Sequence, residues 1–291
     1  MRVRASWSAI VLVVTSTPAI AQARLAPAWD SVAAILKTAP APSPGYVRYN
    51  LPRRDLTIRI GDVTVATALA SGAWAGMSGD PANATAMGDL VLSSDEVRPV
   101  LAQLAQQHIS VTAIHNHLIG EEPRLIYVHF FAEGAATDIA RRLDAVFALT
   151  GTPRPVPAAA AQPVTIDTAT VFAALGRGRA FANIVQIGLV LVPDTVRMHG
   201  HVVVPALGYG SPINIQALSP QRAVATGDFA ILGGDVEGVT RALAEHGIMA
   251  TALHSHMVGE EPKVSFIHFW ADGPLPDVVS GLRAAVEAAR H

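Results

Sequence analysis

A run of forty-seven residues occurs twice in this chain without a gap. Residues 88–134 lie on residues 227–273 at an offset of 139, and nineteen of the forty-seven pairs are identical. Matches ahead of the histidine stretch include Gly88/Gly227, Asp89/Asp228, Val100/Val239, Leu104/Leu243, Ile109/Ile248 and Thr112/Thr251. The same offset continues upstream more faintly, through Val32/Val171, Leu36/Leu175, Gly61/Gly200 and Val63/Val202. Whatever fold the first unit takes, the second must take again. Two copies are too few for a solenoid, which stacks three or more units. The expected architecture is α+β: two homologous lobes related by a pseudo-two-fold, each an antiparallel sheet with packed helices.

The best-preserved part of the repeat carries the chemistry. His115-Asn116-His117 is followed by Glu121-Glu122-Pro123 and then His129; the copy reads His254-Ser255-His256, Glu260-Glu261-Pro262 and His268. The pattern places a strand over residues 109–117 and another over 124–132, with 248–256 and 263–271 as their copies. Side chains two apart on a strand share a face. His115 and His117 therefore fall with Ile109, Val111 and Ala113, and His129 with Leu125, Tyr127 and Phe131. A hairpin with matched faces brings His129 toward His115 across the ladder. The loop between them supplies the glutamates.

Three imidazoles with a carboxylate suit zinc, iron, manganese or copper, and leave a position open for water or substrate. The candidate metal ligands are His115, His117, Glu121 and His129, with His254, His256, Glu260 and His268. Glu121 and Glu260 are preferred over the glutamates after them, which adjoin the prolines. No organic cofactor is expected. The strand-borne His-x-His also has the look of a cupin metal motif. His129 follows the glutamates too soon for that pattern, and cupins do not explain the helices.

Three functions remain open on these residues. One is a metal-binding protein, either a metal-dependent hydrolase or an oxygen-chemistry enzyme, with a glutamate as general base. The second is a non-catalytic module for a cell-envelope glycan or peptide, with Tyr127, Phe131, Phe266 and Trp270 beside the polar groups. The third is a structural cluster of paired polar groups. A serine hydrolase is disfavoured, because there is no Gly-x-Ser-x-Gly elbow and Ser255 is Asn116 in the other copy. Asp89 and Asp228 read as turn or cap residues, and His199-Gly200-His201 as a hairpin turn.

Export is expected from the first residues. Arg2 and Arg4 precede an apolar run over 9–15, and Ala19-Ile20-Ala21 and Ala21-Gln22-Ala23 are small-x-small cleavage sites. Residues 1–23 thus read as a signal peptide, 24–150 as the first lobe, 151–163 as a Pro/Ala linker and 164–291 as the second lobe. The apolar run is too short to span a bilayer, so no stable membrane anchor is expected after cleavage and the destination is the periplasm or the medium. The net charge of -2 gives no basis for nucleic-acid binding. A small molecule or a cell-envelope component is the expected partner. There are no cysteines, which removes disulfides, thiolate ligands and a cysteine nucleophile.

Elsewhere the spacing predicts helices over 29–37, 93–107 (opened by a capping box at Ser93 and Glu96), 135–149, 168–176, 235–246 and 276–290. Strands are expected over 55–69 in two pieces turning at Gly61-Asp62, and over 86–92, 184–205 and 224–232. Residues 40–44, 71–81 and 207–212 read as loops, being rich in glycine, proline or small residues.

At the histidine motif the chain resembles the LppY/LpqO family of exported bacterial proteins, which are built around a domain of unknown function. The resemblance rests on Met87-Gly88-Asp89-Leu90-Val91-Leu92, on Glu96-Val97-Arg98-Pro99-Val100, and on Thr112-Ala113-Ile114-His115-Asn116-His117 with the Glu-Pro and His129 that follow. Leu51-Pro52-Arg53-Arg54-Asp55-Leu56 is similar too. It implies an exported protein and supplies no reaction. Named members are lipoproteins; the absence of a lipobox cysteine here means that anchoring is not implied.

Overall fold

The computed structural model describes residues 26–158 and 160–290. The expected signal peptide over 1–23 lies outside the described residues. Among these residues, no helix is long and apolar enough to cross a membrane.

Each lobe is built on a six-stranded antiparallel sheet. In the first lobe the strands are β1 (Pro40–Ser43), β2 (Tyr46–Pro52), β3 (Gly72–Asp80), β4 (Asn83–Ser93), β5 (Ser110–His115) and β6 (Leu125–Gly134), in the order β1-β2-β3-β4-β6-β5. In the second they are β7 (Arg179–Phe181), β8 (Ile184–Leu189), β9 (Ser211–Ser219), β10 (Arg222–Leu232), β11 (Met249–His254) and β12 (Val264–Gly273), in the order β7-β8-β9-β10-β12-β11. The two orders are the same, as the repeat requires.

Three helices cover one face of each sheet. In the first lobe α1 (Pro27–Leu36) and α2 (Val97–Gln106) flank α3 (Ala136–Phe147), which lies on β4 and β6. In the second, α4 (Thr168–Leu175) and α5 (Val236–Glu245) flank α6 (Leu275–Ala288), which lies on β10 and β12. The apolar stripe of α3 is Ile139, Ala140, Leu143, Val146 and Phe147, all buried, at the spacing of one helix face. It meets Leu90, Leu92, Val128 and Phe130 in one core. The other face of each sheet is covered by the opposite lobe, so β4 and β6 are buried on both sides over most of their length.

The lobes exchange short arms. The one-turn helix Thr67–Ala70 of the first lobe sits on β9 and β10 of the second, and the one-turn helix Pro205–Gly208 sits on β4 of the first. Gln216 fixes the first arm, donating to the Thr64 carbonyl at 3.1 Å and accepting from the Ala66 N–H at 2.9 Å. Asn214 donates to the Leu69 carbonyl and Gln186 to that of Ala68. The second arm fills an apolar cluster that joins Met87 and Phe131 to Leu207, Tyr209, Met257 and Phe266.

Several expectations need correction. Residues 71–81 are not a loop: nearly all of them form β3, a central strand paired on both sides, and of residues 207–212 the first two end a one-turn helix and the last two open β9. The small residues of β3 serve close approach instead. A Cβ at Gly76 would stand 2.1 Å from Cδ2 of Leu207, so the incoming arm needs the glycine. Residues 40–44 form β1 and the turn into β2, and Pro40 and Pro42 are tolerated because β1 is an edge strand. The capping box at Ser93 is half formed. Glu96 accepts from the Ser93 N–H at 2.8 Å, but the Ser93 hydroxyl turns to Asp95 and α2 begins only at Val97. His199-Gly200-His201 is a turn, with positive φ at His199 and Gly200.

Candidate metal centre

The two histidine sets form one cluster rather than two related pockets. His115 and His254 meet with ring centroids 3.8 Å apart. His117 stacks on His268 at 3.9 Å, and its counterpart pairing, His256 on His129, is at 3.8 Å. These contacts map onto one another when the lobes are exchanged, so the pseudo-two-fold passes between His115 and His254. The Nε2 atoms of His115 and His256 are 3.3 Å apart.

Sheet register explains the convergence. Asp89 on β4 pairs with His129 on β6, and His129 pairs with Ala113 on β5; Asp228, His268 and Ala252 repeat this in the second lobe. A β-bulge interrupts β5 between Val111 and Ala113, and β11 between Ala250 and Ala252. An extra residue reverses which face the following side chains point to. Val111 therefore pairs with Phe130 on the helix side, whereas Ala113 and His115 pair with His129 and Tyr127 on the side of the other lobe. The sequence reading that put His115 on one face with Ile109 and Val111 missed this step. Aromatic platforms hold the outer rings. Tyr127 stacks on His117 at 3.6 Å, and Phe266 on His256 at 3.7 Å.

Hydrogen bonds to one ring nitrogen leave the other free. His268 Nδ1 is 2.6 Å from Asp228 Oδ1 and 3.3 Å from the Gly227 carbonyl, and its Nε2 is buried without a partner. This is the carboxylate–imidazole arrangement that orients a metal-ligating histidine. The Nε2 of His129 is also buried without a partner. His254 Nδ1 bonds the Ser255 carbonyl and leaves Nε2 free. Unpartnered buried atoms also include His115 Nδ1, His117 Nε2 and Asp89 Oδ1. Buried polar atoms are ordinarily paired, so a concentration of orphans calls for a ligand.

Three groups of donor atoms each lie within 4.8 Å of one another: His115, His254, His256 and His268; His115, His117 and His129; and His117, Asp228 and His268. The residues present thus fit a cation with nitrogen and oxygen donors. Burial depresses the basicity of five of the imidazoles, and neighbouring imidazoles add to it. His129 is held down to about 3 and His254 to about 4, and His115, His117 and His256 lie below the ordinary range. These five rings are therefore neutral near pH 7, the form that binds metal. Burial, then the Asp228 carboxylate, pushes Asp89 well above the usual range. A cation would favour the ionised form of Asp89 and is compatible with the neutral imidazoles.

Glu121 and Glu260 are buried but serve the loops. Glu121 accepts from the Leu125 N–H at 3.2 Å. Glu260 accepts from the Val264 N–H and the Ser255 hydroxyl and faces the Lys263 ammonium at 3.5 Å. Neither belongs to the three donor groups. The carboxylates among the histidines are Asp89 and Asp228, which the sequence reading took for turn residues. Asp89 lies 3.9 Å from His117 Nε2 and 3.8 Å from His129 Nε2. The signal that marked them was their identity in both copies inside an apolar strand. Asp62 and His201 lie elsewhere: Asp62 pairs with Arg222 and His201 with Glu133.

Residues 30–149 and 169–288 each match the Domain of Unknown Function (DUF1259). The chain belongs to the DUF1259 family. Both matched DUF1259 units contribute three histidines to the cluster. No curated protein matches the chain. Among solved structures, EtuB from Clostridium kluyveri is similar over 86% of this chain and 89% of its own, at 11% identity and a TM-score of 0.23. So low a score carries no argument about this DUF1259 protein.

Proposed function

We propose that this protein is exported and binds a divalent metal ion between its lobes, on imidazole donors with Asp89 and Asp228 close by. The observation that carries the reading is the approach of His115 to His256. Two nitrogens bound to one tetrahedral zinc at about 2.0–2.1 Å stand about 3.4 Å apart, and these Nε2 atoms are 3.3 Å apart across the lobe boundary. A set of nitrogen and oxygen donors accepts zinc, copper, iron or manganese.

A metal-dependent reaction is the enzymatic form of this reading. A cavity of about 10 Å³ adjoins His129 and His256, bounded also by Met87, Gly88 and Thr112. That is room for one water. Asp89 is the unpaired carboxylate beside His129 and would serve as the base in a hydrolytic role. Binding of a cell-envelope glycan or peptide has less support, because Tyr127, Phe131, Phe266 and Trp270 are all buried.

The test is elemental analysis of untagged protein beside a variant with His115, His117, His254 and His256 all changed to alanine. The expected result is at least one ion per chain in the wild type and none in the variant. Wild type that stays empty after incubation with zinc, copper, iron and manganese would remove the reading.

A further inference from the structure

His115 differs from its own counterpart in a way the repeat does not require. His254 Nδ1 is engaged by the Ser255 carbonyl, so that ring has one nitrogen to offer. His115 Nδ1 is buried with no partner, and its Nε2 lies 3.3 Å from His256 Nε2. Both nitrogens of this one ring are therefore free of backbone bonds. His115 is also the one residue common to the first-lobe set (with His117 and His129) and the set containing His254, His256 and His268.

Each lobe brings a complete triad: His115, His117 and His129 from the first, His254, His256 and His268 from the second. The pseudo-two-fold makes these equivalent, so an ion on one triad implies a matching position on the other. A triad of imidazoles with one open coordination position is a sufficient cation site. Only the second triad gains a fourth imidazole from the opposite lobe in the same group. The cavity of about 10 Å³ lies against His129 of the first triad and His256 of the second, beside an unpartnered Thr112 hydroxyl.

Resting on the metal-binding reading above, we propose that the cluster is a two-ion centre, one ion per triad, with His115 ligating both ions through its two ring nitrogens. The second-lobe ion is enclosed by four imidazoles. The first-lobe ion, held by three imidazoles, keeps an open position and takes the small exogenous ligand. Neutral imidazole carries one N–H proton. Ligation at both nitrogens displaces that proton to solvent, so loading the second ion releases one proton from His115.

The test uses the full mature chain, stripped with chelator and reloaded with copper(II). Metal content is measured with the electron paramagnetic resonance intensity. The expected result is two coppers per chain with far less than two spins of signal, because an imidazolate bridge couples the pair. In His115→Ala, whatever copper remains gives one full spin per ion. One copper per wild-type chain would overturn the two-ion proposal while leaving the metal-binding reading intact. Two coppers with full spin intensity would overturn the bridge. No copper, with zinc, iron and manganese also failing to bind, would remove the parent reading. The wild-type measurement stands alone if His115→Ala does not fold.

Discussion

His115 and His256 are 141 residues apart in the chain, and their Nε2 atoms are 3.3 Å apart across the boundary between the lobes. The four-histidine set takes His115 from one repeat and His254, His256 and His268 from the other. Duplication therefore did more than double a site. It placed two half-sites face to face, so that the cluster exists only when the sheets are docked. The exchanged arms at Thr67–Ala70 and Pro205–Gly208 hold that docking in place.

Stability of the metal-free protein should fall as the medium becomes acidic. The folded state holds His129 down to about 3 and His254 to about 4, against 6.5 in the unfolded chain. Between these values the unfolded state binds more protons, so stability rises with pH. The contribution is whole above about pH 6.5 and is lost progressively down to about pH 4 for His254 and pH 3 for His129. Each ring has a limiting slope of about 1.4 kcal/mol per pH unit. Chemical denaturation of chelator-treated protein from pH 7.5 to 4.5 should show the decline. A flat profile would contradict neutral buried imidazoles.

The two aspartates should respond in opposite directions. Asp89 is buried beside Asp228 with Oδ1 unpartnered, so ionising it costs stability. Asp89→Asn should leave the metal-free protein as stable or more so near pH 7, and weaken metal binding by about 10–100-fold. Asp228 holds His268 Nδ1 at 2.6 Å. Asp228→Asn should weaken metal binding and also destabilise the metal-free protein by about 1–3 kcal/mol. Thermal melts with and without chelator, beside metal titrations, separate the two.

Arg53 is a structural element of the first lobe alone. Its guanidinium is buried and bonds Glu96 at 2.6 Å, the Val91 carbonyl at 2.6 Å and Asp55 at 2.8 Å. The second lobe has Val192 at the equivalent position. Arg53→Met strands Asp55 and Glu96 and should cost about 3–5 kcal/mol. Metal content of the folded fraction should not change. Loss of metal from a variant that remains folded would show that the Arg53 network positions the site.

Much of this was legible in the repeat. The offset of 139 gave the two lobes, and the histidine sets pointed to the strands that build the cluster. What stayed hidden has physical causes. β3 looks like a loop because its glycine and other small residues suit an arm arriving from elsewhere in the chain, as Gly76 does Leu207. The bulges at Thr112 and Thr251 switch faces in mid-strand, which a period of two cannot register. Asp89 was misread because an aspartate after a glycine usually marks a turn, whereas here it pairs with His129 inside the sheet. Glu121 and Glu260 attracted attention by their place beside the histidines, and the structure turns them toward the backbone of β6 and β12.

The most direct measurement is an anomalous difference map from crystals of the metal-loaded protein, collected at the absorption edge of the bound element. The expected result is a peak between the lobes, within about 2.0–2.3 Å of His115 and His256. Peaks confined to surface histidines such as His201 and His246, with none between the lobes, would contradict the account.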